Sequence, residues 1–89
     1  MVKGFFHFKL QDYETWHKVF VQNMAMRKSF GAETEMLHRS VDNPNEVVVV
    51  LEFATADKAH AFMQSTELRA AMQNGGVIPP PIIVITEVV

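Results

Sequence analysis

The chain of 89 residues has no cysteine, which removes disulfide bridges, thiolate metal ligands and cysteine nucleophiles together. That fits a reducing compartment, and a cytoplasmic location is expected. No stretch reaches the roughly 18 apolar residues that a membrane-spanning helix needs. The opening MVKGFFHFKL is only briefly apolar and lacks a small-residue cleavage site, so neither a secretory signal nor a membrane partner is expected. Lysine and arginine do not cluster: 8 basic residues stand against 10 acidic ones, for a net charge of −2, so no nucleic-acid footprint is expected. There is no nucleophile elbow, acidic metal cluster or phosphate-binding glycine loop. Gly75-Gly76 precedes a strand rather than a helix and reads as a turn. His7, His17, His38 and His60 show neither HxH nor HxxxH spacing, so no metal site is expected and no bound cofactor is implied.

What is present is apolar. Hydrophobic residues make up 48% of the chain and charged ones 20%, a globular balance that argues against disorder. The length suits one domain spanning residues 1–89. The run Val47 to Leu51 does not alternate apolar with polar, as a strand with one wet face would, so both faces of its sheet must be covered. Helices from so short a chain can cover one face. The other is expected to meet a second copy, which makes the protein a homodimer.

Val2 to Leu10 reads as a strand with Val2, Gly4, Phe6, Phe8 and Leu10 facing the helices. A helix is expected from Asp12 to Gly31, with Tyr13, Trp16, Phe20, Met24 and Arg27 on one stripe, widened by Val19, Met26 and Phe30. Glu33 to Val41 alternates, as an edge strand or a strand at a wet cavity would. The turn Asp42-Asn43-Pro44-Asn45 then returns it into Glu46 to Phe53. A helix capped by Thr55 or Asp57 should point Ala59, Phe62 and Met63 inward. Ser65-Thr66 interrupts it before a short turn over Glu67 to Gln73, which carries Leu68 and Met72. Pro79-Pro80-Pro81 reads as a stiff lead-in to a last strand, Ile82 to Val89. This order predicts a ferredoxin-like βαββαβ α+β sandwich with an antiparallel sheet, helices on one face and a bare apolar face on the other.

Several stretches carry a family resemblance. They are Tyr13-x-x-Trp16-x-x-x-Phe20, Arg27-x-x-x-Gly31, Asp42-x-Pro44-Asn45-Glu46-Val47 and Phe62-x-x-Ser65-x-Glu67-Leu68-Arg69-x-Ala71-Met72, with Gly76-Val77 after them. Over nearly its whole length the chain resembles the dimeric α/β barrel superfamily, which includes the antibiotic-biosynthesis-monooxygenase-like proteins. The resemblance implies the fold and a dimer. It does not imply one reaction, because that superfamily hosts cofactor-independent monooxygenases, isomerases, haem-degrading enzymes and proteins without known activity. The functional tryptophan of the haem enzymes lies in their second half, where this chain has Phe62 and Met63, so haem degradation is not expected.

As catalytic candidates the residues offer His7 and His38, since imidazole titrates near neutrality; the plainer role is a polar residue at an interface or sheet edge. As ligand-binding candidates they offer Tyr13, Trp16, Arg27, Phe62 and Met63. Trp16 would either enclose a flat substrate or fill the core. Arg27, on an apolar stripe, would hold a ligand carboxylate or enolate, or else pair with Glu33 or Glu35. The six methionines suit an adaptable lining for an apolar ligand. The expected function is binding of a small apolar or aromatic ligand. If it is catalytic, the expected activity is that of a cofactor-independent monooxygenase or isomerase that starts by deprotonation at a histidine. The alternative is a non-catalytic binding or assembly module.

Overall fold

A computed structural model describes residues 1–89. Strand β1 (Val2–Leu10) leads into helices α1 (Tyr13–Gln22) and α2 (Met24–Ser29), then strands β2 (Ala32–Arg39) and β3 (Glu46–Phe53). Helices α3 (Ala56–Met63) and α4 (Thr66–Asn74) follow, and strand β4 (Val77–Glu87) closes the chain. The sheet runs β2-β3-β1-β4 with every neighbouring pair antiparallel, which is the ferredoxin-like α+β arrangement expected.

Strand periodicity positions the core. Val2, Phe6, Phe8 and Leu10 of β1 and Val47, Val49, Leu51 and Phe53 of β3 are buried beneath the helices, where they meet Trp16, Ala59, Phe62 and Leu68. The alternate residues form the uncovered face. Register aligns them in rows: Met36, Val50, Phe5 and Val84 make one, and His38, Val48, His7 and Ile82 the next. Polar rows flank this belt, Thr34, Glu52, Lys3 and Thr86 on one side and Glu46 with Lys9 on the other.

Two boundaries and the placement of Met63 differ from what the sequence leads one to expect. The first helix is not continuous to Gly31 but breaks at Asn23, whose φ of −98° and ψ of 16° leave the helical basin. The Asn23 Nδ2 donates to the Val19 carbonyl at 2.8 Å, competing with the backbone ladder as short amide side chains do. The break also turns Met24 outward, to 43% exposure, so it leaves the stripe on which helical spacing placed it. The last strand begins at Val77 rather than Ile82. His7 pairs with Ile82 and Lys9 with Ile78, so the three prolines stand opposite Phe8 alone. An edge strand tolerates this because prolines without N–H groups can sit in a bulge there. Met63 is only half-buried and lies outside the core cluster, because Phe62 beside it takes the inward position.

Candidate functional site

A cavity of about 50 Å³ lies between the helices and the sheet. Its floor is Phe6, Phe8, Val49 and Leu51 from the strands, with Trp16, Phe62 and Leu68 from the helices. The half-buried Val19, Asn23, Met26, Ala71 and Met72 form its rim, between α1 and α2 on one side and α4 on the other. Of 14 lining residues 12 are hydrophobic, and the two polar ones are Asn23 and Arg27.

Helical spacing from Tyr13 to Arg27 produces a stack. The Trp16 and Phe20 rings are 5.0 Å apart and nearly parallel, Tyr13 lies 6.0 Å from Trp16, and the Arg27 guanidinium sits 3.8 Å over Phe20. At the other end the Arg39 guanidinium covers Tyr13 at 3.8 Å, so a cation closes the aromatic column at both ends. Trp16 is buried because α4 ends in Gly75. A Cβ on that residue would stand 2.9 Å from the indole Cδ1. Gly75 has an ordinary φ of −83°, so space and not backbone freedom requires glycine there. The neighbouring Gly76, at φ 73°, is the one that uses the left-handed region.

Arg27 is 4% exposed, and each of its three guanidinium nitrogens has a hydrogen-bond partner. Its Nε and Nη2 donate to the two carboxylate oxygens of Glu35, the latter at 3.2 Å, and Nη1 donates to the Phe20 carbonyl at 2.6 Å. Of the two partners its position suggested, the structure contains Glu35. A ligand carboxylate would have to compete with that pair.

The predicted residues divide between two faces. Trp16, Arg27 and Phe62 line the cavity; Tyr13 extends its aromatic column without lining it, and Met63 does not reach it. His7 and His38 project from the opposite side of the sheet, because odd positions of β1 and even positions of β2 face away from the helices. Neither can take a proton from a molecule in the cavity. The two stand in one row with Val48 between them, so two strand spacings, roughly 10 Å, separate them. His7 Nε2 lies 2.5 Å from Glu46 Oε2, with both side chains about one-third to one-quarter exposed. Asn23 lines the cavity and Gly75 backs Trp16, and neither stands out in the sequence as a candidate. Asn23 was visible only as a polar residue inside an apolar helix, and Gly75 only as a helix terminator. No group of three or more histidine, cysteine or carboxylate side chains converges as a metal site would require.

No protein-family model and no curated protein matches the sequence. Solved structures do match the fold. A candidate antibiotic biosynthesis monooxygenase from Bordetella bronchiseptica superposes with a TM-score of 0.83 at 18% identity, over 99% of this chain and 96% of that one. SnoaB, a cofactor-independent oxygenase from Streptomyces nogalater, gives 0.79 at 13% identity over 98% and 91% of the two chains. A Nitrosomonas europaea protein of unknown function gives 0.78 at 15% identity over 98% and 87%. The chain therefore has the fold of the antibiotic-biosynthesis-monooxygenase-like proteins. No helix is long and apolar enough to cross a membrane.

Proposed function

We propose that this chain is a single-domain, cytoplasmic homodimer that binds a small planar aromatic molecule at the helix-side cleft and oxygenates it without a bound cofactor. One observation carries the reading: a cavity walled by Phe6, Phe8, Trp16, Phe20 and Phe62 has only Asn23 and Arg27 as polar edges, on a fold that the oxygenase SnoaB shares. The internal void is far below the roughly 300–1,000 Å³ of ordinary ligand pockets, so an aromatic ring must seat at the mouth. Met26 and Met72 guard that mouth, and their unbranched thioether chains can swing aside. Without a titratable base inside, the substrate must arrive electron-rich enough to reduce dioxygen as its own anion. Asn23 is then placed to orient a ring hydroxyl through its Oδ1, while its Nδ2 stays on Val19.

The dimer rests on the uncovered sheet face. Phe5, Met36, Ile82 and Val84 are 37%, 60%, 55% and 50% exposed there, a solvent-facing apolar belt unusual for a monomer. Its flanking rows each carry a lysine and a glutamate, giving the apolar centre and neutral polar rim of a self-complementary interface. His7 and His38 would lie inside that interface.

The test is titration with a dihydroxynaphthalene, following Trp16 fluorescence and dioxygen consumption. Saturable quenching with oxygen uptake that fails in Trp16→Ala supports the reading; a flat fluorescence titration with no uptake sinks it. The absence of any histidine or carboxylate from the cavity lining favours a second reading, a non-catalytic binding module. Quenching without uptake would select it.

A further inference from the structure

We infer that a second recess, between α4 and β4, extends the cleft past Met72 and takes an acidic group carried on a short arm of the aromatic ligand. The inference rests on the aromatic-binding reading above and narrows the class of ligand. Helix α4 packs against α1 on one side and β4 on the other, and a recess lies along each flank. The first is the aromatic cleft. The second has a volume of about 320 Å³ and is bounded by Arg69, Met72, Gln73, Val77, Pro79 and Pro81. Met72 is the one residue in both linings. It is half-buried and unbranched, so a change of rotamer joins the two spaces without moving the helix. At about 50 Å³ the cleft alone falls short of ordinary ligand sites; joined to the recess it enters their range of roughly 300–1,000 Å³.

The recess differs from the cleft in charge. Its side-chain donors are Arg69 and Gln73, one turn apart on α4, and no carboxylate lines it. The ion pairs of the chain are His7 with Glu46 and Arg27 with Glu35, which leaves the exposed Arg69 guanidinium without an acidic partner. A ligand carboxylate there accepts from the planar Arg69 fork and from the Gln73 amide. Arg69 and Met72 are three residues apart, about 5–6 Å between Cβ atoms, so an arm of two or three carbons reaches from a ring at Met72 to the guanidinium.

The test compares 3-(2-naphthyl)propanoate with its primary amide, following the emission of Trp16, the only tryptophan and a cleft residue. The acid should bind about tenfold more tightly than the amide, the worth of one charge-assisted hydrogen bond at a partly exposed site. That advantage should shrink as salt is added. Arg69→Gln should bring the acid to the affinity of the amide and leave the amide unchanged; Arg69 is exposed and unpaired, so the variant keeps its fold. Met72→Leu, of similar volume but branched, should weaken both armed ligands more than a dihydroxynaphthalene. Equal affinity of acid and amide for the wild-type protein overturns the inference without reference to any variant. So does an equal loss for both ligands in Arg69→Gln. If a dihydroxynaphthalene still quenches Trp16 in either case, the aromatic cleft stands and only its acidic extension falls. A flat titration with all three compounds removes the cleft and the extension together.

Discussion

The two faces of the sheet are built from the same strands and nearly the same residue types, yet they end differently. On the helix side Phe6, Val47, Leu51 and Phe53 are essentially dry; on the other, Phe5, Met36, Ile82 and Val84 keep a third to more than half of their surface in water. Hydrophobicity alone therefore does not say where a strand residue goes. Alternation assigns it to a face, and the face's cover decides its energy. One face is completed by the chain itself, and the other is left open to solvent.

The sharpest way to break that comparison is to truncate a phenylalanine on each face. Phe62 touches Phe6, Phe30 and Phe53 within the core, and Phe62→Ala should cost about 3–5 kcal/mol in urea unfolding at any protein concentration. Phe5→Ala should barely change the unfolding of a dilute sample, while weakening association in sedimentation equilibrium. Equal losses from both changes at low concentration would mean that the open face is structural in a single chain.

The ion pairs sharpen the same contrast. Arg27 with Glu35 lies on the covered side, with the arginine buried. Arg27→Met should cost about 2–3 kcal/mol, a buried-pair loss discounted because the Glu35 side chain keeps 23% of its surface exposed. Adding Glu35→Leu should recover most of that loss, since the stranded carboxylate is its main cause. His7 with Glu46, on the open side, is worth no more than about 1 kcal/mol in a monomer, so Glu46→Gln should be nearly silent in dilute unfolding. A larger effect that grows with protein concentration would place this pair inside the dimer.

Next in size is Gly75. Gly75→Ala puts a methyl group against the Trp16 indole, and overpacking of this kind costs about 1–3 kcal/mol. The tryptophan emission should shift as the ring moves toward the cavity. Unchanged emission at unchanged stability would show that α4 simply yields.

These positions also mark what the sequence made legible. Strand order, the bare sheet face and the Tyr13–Trp16–Phe20–Arg27 stripe follow from periods of two and of helical spacing, which are local and strong. Asn23 escaped because a helix break made by one side-chain amide carries no glycine or proline signal. The prolines of β4 look like a lead-in in sequence because a bulge depends on the partner strand, which no local pattern reveals. The candidate residues divide between the two faces for the same reason. His7 and Phe6 are neighbours in sequence, and only the pleat sends one to the open face and the other into the cavity.

The smallest effect separates the helix caps by chemistry. Thr55 and Ser65 cap α3 and α4 with hydroxyls, whose bonds to Lys58 N and Leu68 N do not titrate in the ordinary pH range. Asp12 caps α1 with a carboxylate that accepts from the Thr15 amide at 3.0 Å and the Thr15 hydroxyl at 2.8 Å. The amide bond is the main cause of its lowered pKa; the hydroxyl bond and the charge of Lys18 add to it, against a small opposing effect of burial. A carboxyl whose folded pKa lies below its unfolded one stabilises fully above the unfolded value and loses that contribution as pH falls through the folded one. Acidification should therefore loosen the start of α1 before the other helices, seen as early loss of amide-exchange protection at Trp16 N, which bonds to the Asp12 carbonyl. Asp12→Ser keeps a capping oxygen but removes the titration, and should flatten that early loss. If the serine variant frays at the same pH as the parent, the acid sensitivity of α1 arises from some group other than its cap.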